Sequence, residues 1–581
     1  MRSDLESPPY GHLIDVLRHH ACQQPDTTAY TFLVDGEQQA ETLTYRELET
    51  EARSIAAALQ ERGAQGRPVL LLFPPGLAYV RAFWGCLYAG AIAVPLYPPA
   101  PGQLERTLLR LRAILQDARP ALVLTSADIL EFAQAFIGQD SSLAGLSWMA
   151  LEEVSSALAA RWEDPDLTPK RLAFLQYTSG STGTPKGVAI THANLIHNCQ
   201  LICERCQHTR QSLAVIWLPP YHDMGLIGGI LHPLYGGFPS VLMSPMHFLQ
   251  NPLRWLRAIT ASRATISGGP NFAYELCARR ATPEQLRGLD LSSWRVAFNG
   301  AEPVRHETLR RFSEVFAPVG FDPKAFFPCY GLAEATLIVS GGPASRGATT
   351  LQVDAAILKH ERKLVTAGPQ AEGLTCTSSG QPIPGQTVRI VSPETGRPCA
   401  PGEVGEIWLS GPSVAQGYWH QPETTRESFG ARLADTQEGP FLRTGDLGSL
   451  VDGELYVLGR IKDLIIIDGA NHAPQDIERT IEQSDSRIRP GCCAAFSIED
   501  ERQEKLVVLY ELRESLPEAE RQQVHGSILS NMRRAVAREH SLRLYDAMAL
   551  EPRTLPKTSS GKLQRFACRQ TYLESRTKSP T

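Results

Sequence analysis

The 581 residues carry 57 Lys and Arg against 62 Asp and Glu, for a net charge of −5, and 43% of them are hydrophobic. That length calls for several folded units with ample cores, and the slight acidity offers no electrostatic footprint for nucleic acid or an anionic membrane surface. The N-terminus MRSDLESPPYGHL has early acids and no apolar run, and the most apolar stretch, Pro68 to Pro98, is interrupted by Pro74, Pro75, Arg81 and Pro95. Twelve cysteines follow no disulfide-like rhythm. Together these features predict a cytoplasmic chain without a membrane span.

The first 170 or so residues alternate helical and strand patterns. Helices are expected over Thr44–Arg62 and Gly76–Gly90, and buried strands over Pro68–Phe73 and Pro120–Thr125. This alternation predicts layered α/β structure with mainly parallel strands. Phe174–Thr178 reads as a strand entering a Gly/Ser/Thr-rich turn, and His192–Cys206 as the helix after it. Ser340–Thr350 reads as loop. From about residue 380 the strands become short (Val388–Val391, Val404–Ser410, Glu454–Leu458) and are separated by Gly and Pro turns, which predicts a small barrel-like or sandwich subdomain at 380–460. After Arg460 a compact α+β unit follows. Strands are expected at Leu464–Ile467 and Lys505–Leu512, with helices at Pro474–Gln483 and Glu518–Glu539. The expected organisation is a large unit over 1–460 and a small one over 461–581.

Chemistry concentrates in Tyr177-Thr178-Ser179-Gly180-Ser181-Thr182-Gly183-Thr184-Pro185-Lys186-Gly187. Three glycines let backbone amides approach a polyphosphate, five hydroxyls add donors, and Lys186 adds positive charge. It is not a Walker A loop, because Pro185 precedes the lysine and Gly187 follows it. Cys199, Cys203 and Cys206, with His197 and His208 nearby, allow two readings. One is a zinc site; the other, favoured because paired CxxC knuckles are missing, is a buried apolar helix face.

The Gly/Ser/Thr loop resembles the phosphate-binding signature of the adenylate-forming superfamily, which includes acyl-CoA synthetases, nonribosomal peptide adenylation domains and luciferases. Further signatures follow in order over almost the whole chain. Asn299-Gly300-Ala301-Glu302 resembles the adenine-binding turn. Tyr330-Gly331-Leu332-Ala333-Glu334 resembles the motif whose tyrosine stacks near adenine and whose glutamate, with Thr178, helps hold Mg²⁺. Arg443-Thr444-Gly445-Asp446 resembles the ribose-binding motif. Gly459-Arg460-Ile461-Lys462 resembles the hinge, with Lys462 at its pivot, and Leu555 to Lys562 the loop carrying a catalytic lysine. The resemblance implies ATP and Mg²⁺ as cofactors and Lys562, His222 and Glu334 as catalytic residues.

Three features resemble the fatty acyl-AMP ligase branch, which hands acyl groups to carrier proteins. They are Trp217-Leu-Pro-Pro-Tyr-His222-Asp223-Met-Gly-Leu226, the insertion at 351–372, and Asn471 where many CoA synthetases carry Arg. The insertion is expected to pack on the large unit through Val353, Ile357, Leu364 and Val365 and to restrain the small one. The residues expected to hold the acyl substrate are His222, Asp223, Gly228, Ile230, Leu231 and Phe272, with Gly229, Gly268, Gly269, Ile227 and Tyr274 nearby. The function implied is ATP-dependent activation of a medium- or long-chain fatty acid and transfer to an acyl carrier protein on a separate chain. The alternatives are an acyl-CoA synthetase and a nucleotide-binding regulator without catalysis. Gly138-Gln-Asp-Ser-Ser-Leu143 resembles a phosphopantetheine attachment site but lies amid α/β sequence and reads as a turn.

Overall fold

The structure is a computed structural model, and it describes residues 10–98, 104–137, 143, 145–178, 185–368, 371, 373–467, 470–500, 503–515, 517–558 and 561–578. Among these residues the first 460 carry a nine-stranded and a six-stranded sheet, each flanked by helices. The core of the larger sheet is parallel. Phe326–Gly331, Val296–Asn299, Ile266–Gly269, Ala214–Ile216 and Ser240–Met243 lie side by side in that order. The smaller sheet orders Ser147–Ala150, Leu122–Thr125, Pro68–Leu72, Ile92–Leu96, Leu172–Thr178 and Lys186–Thr191, and only its last pair is antiparallel. Strands buried on both faces read as continuous apolar runs, as in Pro68–Leu72, where all five residues are buried.

Helix boundaries follow their caps. Tyr45–Glu61 begins with a capping box in which Thr44 and Glu47 exchange hydrogen bonds with each other's backbone amides. His192–Cys206 begins with the equivalent Thr191/Asn194 pair and ends at Gln207 in the left-handed conformation. Its cysteines Cys199, Cys203 and Cys206 are all buried in the core.

Thr387–Val391, Gly405–Ser410, Leu442–Val451 and Glu454–Arg460 form an antiparallel sheet. It is open, not closed into the barrel-like form expected from the short strands. Beyond it, the strands Ile488–Asp500, Gln503–Leu512 and Leu544–Leu550 make a sheet with its own core, covered by Pro474–Ser484 and Glu518–His540. The 13-residue strand Ile488–Asp500 was not expected, because Pro490 and Gly491 break its apolar pattern near the start.

The 351–372 segment forms most of a hairpin. Thr350–Asp354 pairs with Gly373–Thr377, and the short helix Ala355–Glu361 lies between them. Val353 and Leu364 are buried with Tyr456 of the open sheet, whereas Ile357 and Val365 are only half-buried. Lys359 Nζ donates to the His540 carbonyl at 3.5 Å, so the hairpin touches both units. No helix among the described residues is long and apolar enough to cross a membrane. Of the segment resembling a phosphopantetheine site, only Leu143 is among the described residues. The Asn471 side chain lies outside them.

Candidate active site

Parallel strands place their C-terminal ends at one edge of a sheet, where open α/β folds bind ligands. Ala214–Ile216 leads to His222, Ile266–Gly269 to Asn271 and Phe272, Val296–Asn299 to Gly300, Ala301 and Glu302, and Phe326–Gly331 to Tyr330, Ala333 and Glu334. Thr178 ends the neighbouring strand of the second sheet. These ends open on a cleft of about 3990 Å³, whose opposite wall comes from the small unit and includes Gly561 and Lys562.

Several backbone approaches there admit only glycine. A Cβ on Gly331 would lie 1.8 Å from the Leu337 carbonyl oxygen, and one on Gly300 would lie 2.9 Å from that of Cys329. Asn299 is fully buried behind this turn, and neither its amide nitrogen nor its oxygen has a partner among the described residues. A buried amide left unpaired is costly, so these atoms fit a ligand that supplies both a donor and an acceptor.

Asp446 is the best-anchored carboxylate of the cleft. Tyr330 Oη donates to its Oδ2 at 2.7 Å, and Arg460 Nε donates to its Oδ1 at 2.9 Å. Asp446 and Arg460 are cross-strand neighbours, so the sheet register sets this pair. The adjacent Asp446 carboxylate holds the guanidinium of Arg460 above its usual range even though burial opposes the charge.

Glu334 accepts from Tyr418 Oη at 3.0 Å, and burial raises its carboxyl above the ordinary value. Lys186 Nζ sits 4.9 Å from the centre of the Tyr418 ring. Thr178 and Lys186 pair across two antiparallel strands. Ser179, Gly180, Ser181, Thr182, Gly183 and Thr184 themselves lie outside the described residues. Tyr418 was not expected at the site. It arrives by a long-range antiparallel bridge to Val188, and the only local signal is Gly417, held at φ +136° against Thr425.

His222 Nδ1 lies 2.6 Å from Asp223 Oδ1. The turn that presents them is tight, since a Cβ on Gly225 would meet the Pro219 carbonyl oxygen at 2.0 Å. Burial pushes the Asp223 carboxyl up, but His222, Lys562 and the Met224 amide together hold it below its usual range. Glu302 accepts from the Phe272 amide at 2.6 Å, and burial raises its carboxyl.

Lys562 follows Gly561, which has φ +85° and lies so near Phe272 that a Cβ on it would meet that ring at 3.2 Å. Its ammonium is lowered below the usual lysine range, chiefly by burial, with Asp223 opposing, Arg460 reinforcing, and Glu302 and Asp446 opposing. The lysine loop is therefore seated in the cleft among carboxylates of the large unit. Phe272 lines the cleft beside this loop. Lys462 is exposed on the short turn Ile461–Asp463, which Arg565 ties to the small unit through Asp463 (3.1 Å) and Glu478 (2.8 Å).

Two expected substrate residues face elsewhere. Met224, Gly228 and His232 line the cleft while Ile230 and Leu231 do not, on a helix whose middle turn, Ile227–Leu231, is π-helical. Ile230 and Leu231 are buried in the sheet core, and the Ile230 carbonyl accepts from Tyr30 Oη at 2.9 Å.

The family model for AMP-binding enzymes matches residues 17–419. The chain belongs to the AMP-binding enzyme family. A second model, the AMP domain of Disco-interacting protein 2-like proteins, matches residues 462–580 of this AMP-binding enzyme. Over 573 residues it is 45% identical to the medium-chain-fatty-acid–[acyl-carrier-protein] ligase JamA of Moorena producens, covering 98% of this chain and 96% of that one. It is 40% identical to the long-chain-fatty-acid–AMP ligase FadD26 of Mycobacterium bovis, with 96% of each chain covered. Among solved structures it resembles a fatty acyl-adenylate ligase from Legionella pneumophila in complex with acyl adenylate and pyrophosphate. The TM-score is 0.76 and the identity 43%, with 97% of each chain covered.

Proposed function

We propose that this enzyme uses ATP to convert a medium- or long-chain fatty acid into acyl-AMP and pyrophosphate, then passes the acyl group to the phosphopantetheine thiol of an acyl carrier protein. The observation that carries this reading is that Lys562, from the small unit, lines the same cleft as Asp223, Glu302 and Asp446. Similarity to ligases whose names specify fatty acids and carrier proteins supports the substrate classes.

A carboxylate oxygen attacks the α-phosphorus of ATP, the bond to the β-phosphate oxygen breaks, and pyrophosphate leaves. Both reactants are anionic, so the protein's task is to hold them together and meet the charge that builds on the α-phosphate. Lys562 bridges the attacking carboxylate and the α-phosphate. Asp446 accepts the ribose hydroxyls, with Tyr330 and Arg460 fixing its orientation. The Asn299–Glu302 turn and Tyr330 receive adenine, and Thr178 with the Ser179–Thr184 loop and Lys186 receives the β- and γ-phosphates. His222, oriented at Nδ1 by Asp223, lies against the acyl carboxylate. Glu334 and Thr178 fit Mg²⁺, because that ion favours few carboxylates together with phosphate oxygens and water, and when bound it supplies charge neutralisation on the phosphates.

The units divide near Lys462, where the second family match begins. The 351–372 hairpin, anchored by Val353 and Leu364 and bonded to His540, restrains rotation of the small unit and favours a carrier protein over free CoA. The test is a product assay with ATP and laurate, alone, with CoA and with a panel of carrier proteins, read by mass spectrometry. Acyl-AMP that discharges onto a carrier protein is the expected result. Rapid acyl-CoA formation overturns the acceptor assignment, and no acyl-AMP with any acid overturns the reaction.

A further inference from the structure

On the large-unit side the cleft lining that includes His222 also includes the apolar side chains of Ile202, Ile266, Val296, Phe327, Leu337 and Ile338. Gly228 keeps this side open, since a Cβ there would touch Leu337 at 3.5 Å. An apolar chain suits these walls, but two imidazoles, His208 and His232, also line the cleft and are each at most 3% exposed.

Their hydrogen bonds define a direction. His232 Nδ1 is 3.4 Å from the Gly228 carbonyl oxygen, and a carbonyl only accepts, so Nδ1 carries the proton. His232 Nε2 is then an acceptor and takes the proton of His208 Nδ1, 2.9 Å away. His208 Nε2 is left as a bare lone pair, buried and without a partner among the described residues. Burial keeps both rings below the usual histidine range, His232 at about 4, so they stay neutral in this arrangement at working pH. Cys203 lies near the pair. A metal there would have to break the histidine–histidine hydrogen bond, and no fourth ligand joins these three among the described residues.

We propose that this inner end is a hydroxyl-recognition subsite, where His208 Nε2 accepts a hydrogen bond from an oxygen at the far end of the acyl chain. The acid activated best therefore carries a hydroxyl at or near its terminal carbon. The inference rests on the fatty-acid reading of the cleft and adds the substrate's distal chemistry. Ten residues of near-continuous helix separate His222 from His232. Ile227–Leu231 within it is a π-helical turn, which rises less per residue than an α-helix, so the distance falls below the roughly 15 Å of a straight α-helix and an extended chain spans it with about ten carbon–carbon bonds.

Chain length makes the idea sharp. While an acyl chain is too short to reach, a terminal hydroxyl is stranded against apolar walls. Once the chain reaches the end, a methyl terminus leaves the buried acceptor unpaired, whereas a hydroxyl pairs with it. A buried partner kept or lost at this point changes kcat/KM by roughly 10-fold or more.

The test uses the full chain and measures kcat/KM for acyl-AMP formation with paired plain and ω-hydroxy acids, from octanoate to hexadecanoate. The hydroxy-to-plain ratio is expected to lie below one for short acids and to rise to about 10 or more at the length that reaches His208. H208L is expected to bring that peak back to one or below. A wild-type ratio at or below one at every length, with plain acids still adenylated, overturns the subsite. A peak that survives in H208L overturns the assignment to His208. The wild-type series decides even if H208L fails to fold. Absence of adenylate from every acid overturns the underlying fatty-acid reading instead.

Discussion

The two walls of the cleft are built differently. On the large unit, Asp446 is clamped by Tyr330 and Arg460 on strands whose register sets the spacing, and Glu334 is held by Tyr418. On the small unit, the Lys562 backbone bonds to Thr558 of its own loop, while its side chain has no hydrogen bond or ion pair among the described residues. One wall is preorganised, its Asp446 and Glu334 carboxylates already paired and fixed. On the proposed mechanism the other presents a cation whose partner is the reacting substrate. A group satisfied before the reaction contributes to binding; a group satisfied only during it contributes to rate.

Mutations that act on one wall alone test this contrast. The largest effect belongs to Lys562→Ala, which is expected to lower fatty-acid-dependent pyrophosphate exchange at least ~10²-fold while ATP affinity, measured by calorimetry, stays within a few-fold. Equal losses in both would erase the distinction between the walls. Asp446→Ala sits on the other side of it. Removing the acceptor of two hydrogen bonds, one charge-assisted, is expected to raise KM for ATP at least ~10-fold in a steady-state assay. An unchanged KM would remove Asp446 from nucleotide binding.

Tyr418→Phe is a gentler probe, because Glu334 loses one donor but keeps its place. A several-fold rise in the Mg²⁺ concentration needed for half-maximal rate is expected, near what a single hydrogen bond contributes. The smallest effect is on pH dependence. The Lys562 ammonium is needed, and burial lowers its pKa, so adenylation should fall as pH rises through a value below the ordinary lysine pKa. In Lys562→Arg, whose guanidinium does not titrate in this range, that alkaline limb should move upward even if the rate is lower. A limb that stays in place assigns the titration to another group.

The same contrast explains what the sequence revealed. Strand-end motifs were legible because a glycine forced by close backbone approach, as at Gly331, or a fixed offset from an apolar strand, as at Thr178, is a local pattern. The lysine loop was legible for the same reason: Gly561 occupies a left-handed position. Contacts between distant elements were not. Tyr418 reaches Glu334 across 84 positions, and Gly417 beside it marks a tight backbone approach without naming the partner. The 222–232 segment shows the limit of composition, since Ile230 and Leu231 are apolar enough to line a tunnel. Only the structure shows that Met224, Gly228 and His232 line the cleft instead. The hairpin anchors divided in the same way. Val353 and Leu364 meet Tyr456, while Ile357 stays outside that cluster because the short helix turns Leu358 toward it.

The most direct test is a crystal structure of the full chain with a non-hydrolysable acyl-adenylate analogue. The account predicts Lys562 Nζ within about 3 Å of the oxygen joining acyl group and phosphate, with the ribose hydroxyls on Asp446. An analogue bound away from Asp446, or a Lys562 loop withdrawn from it, would contradict the proposal that the small unit completes the site.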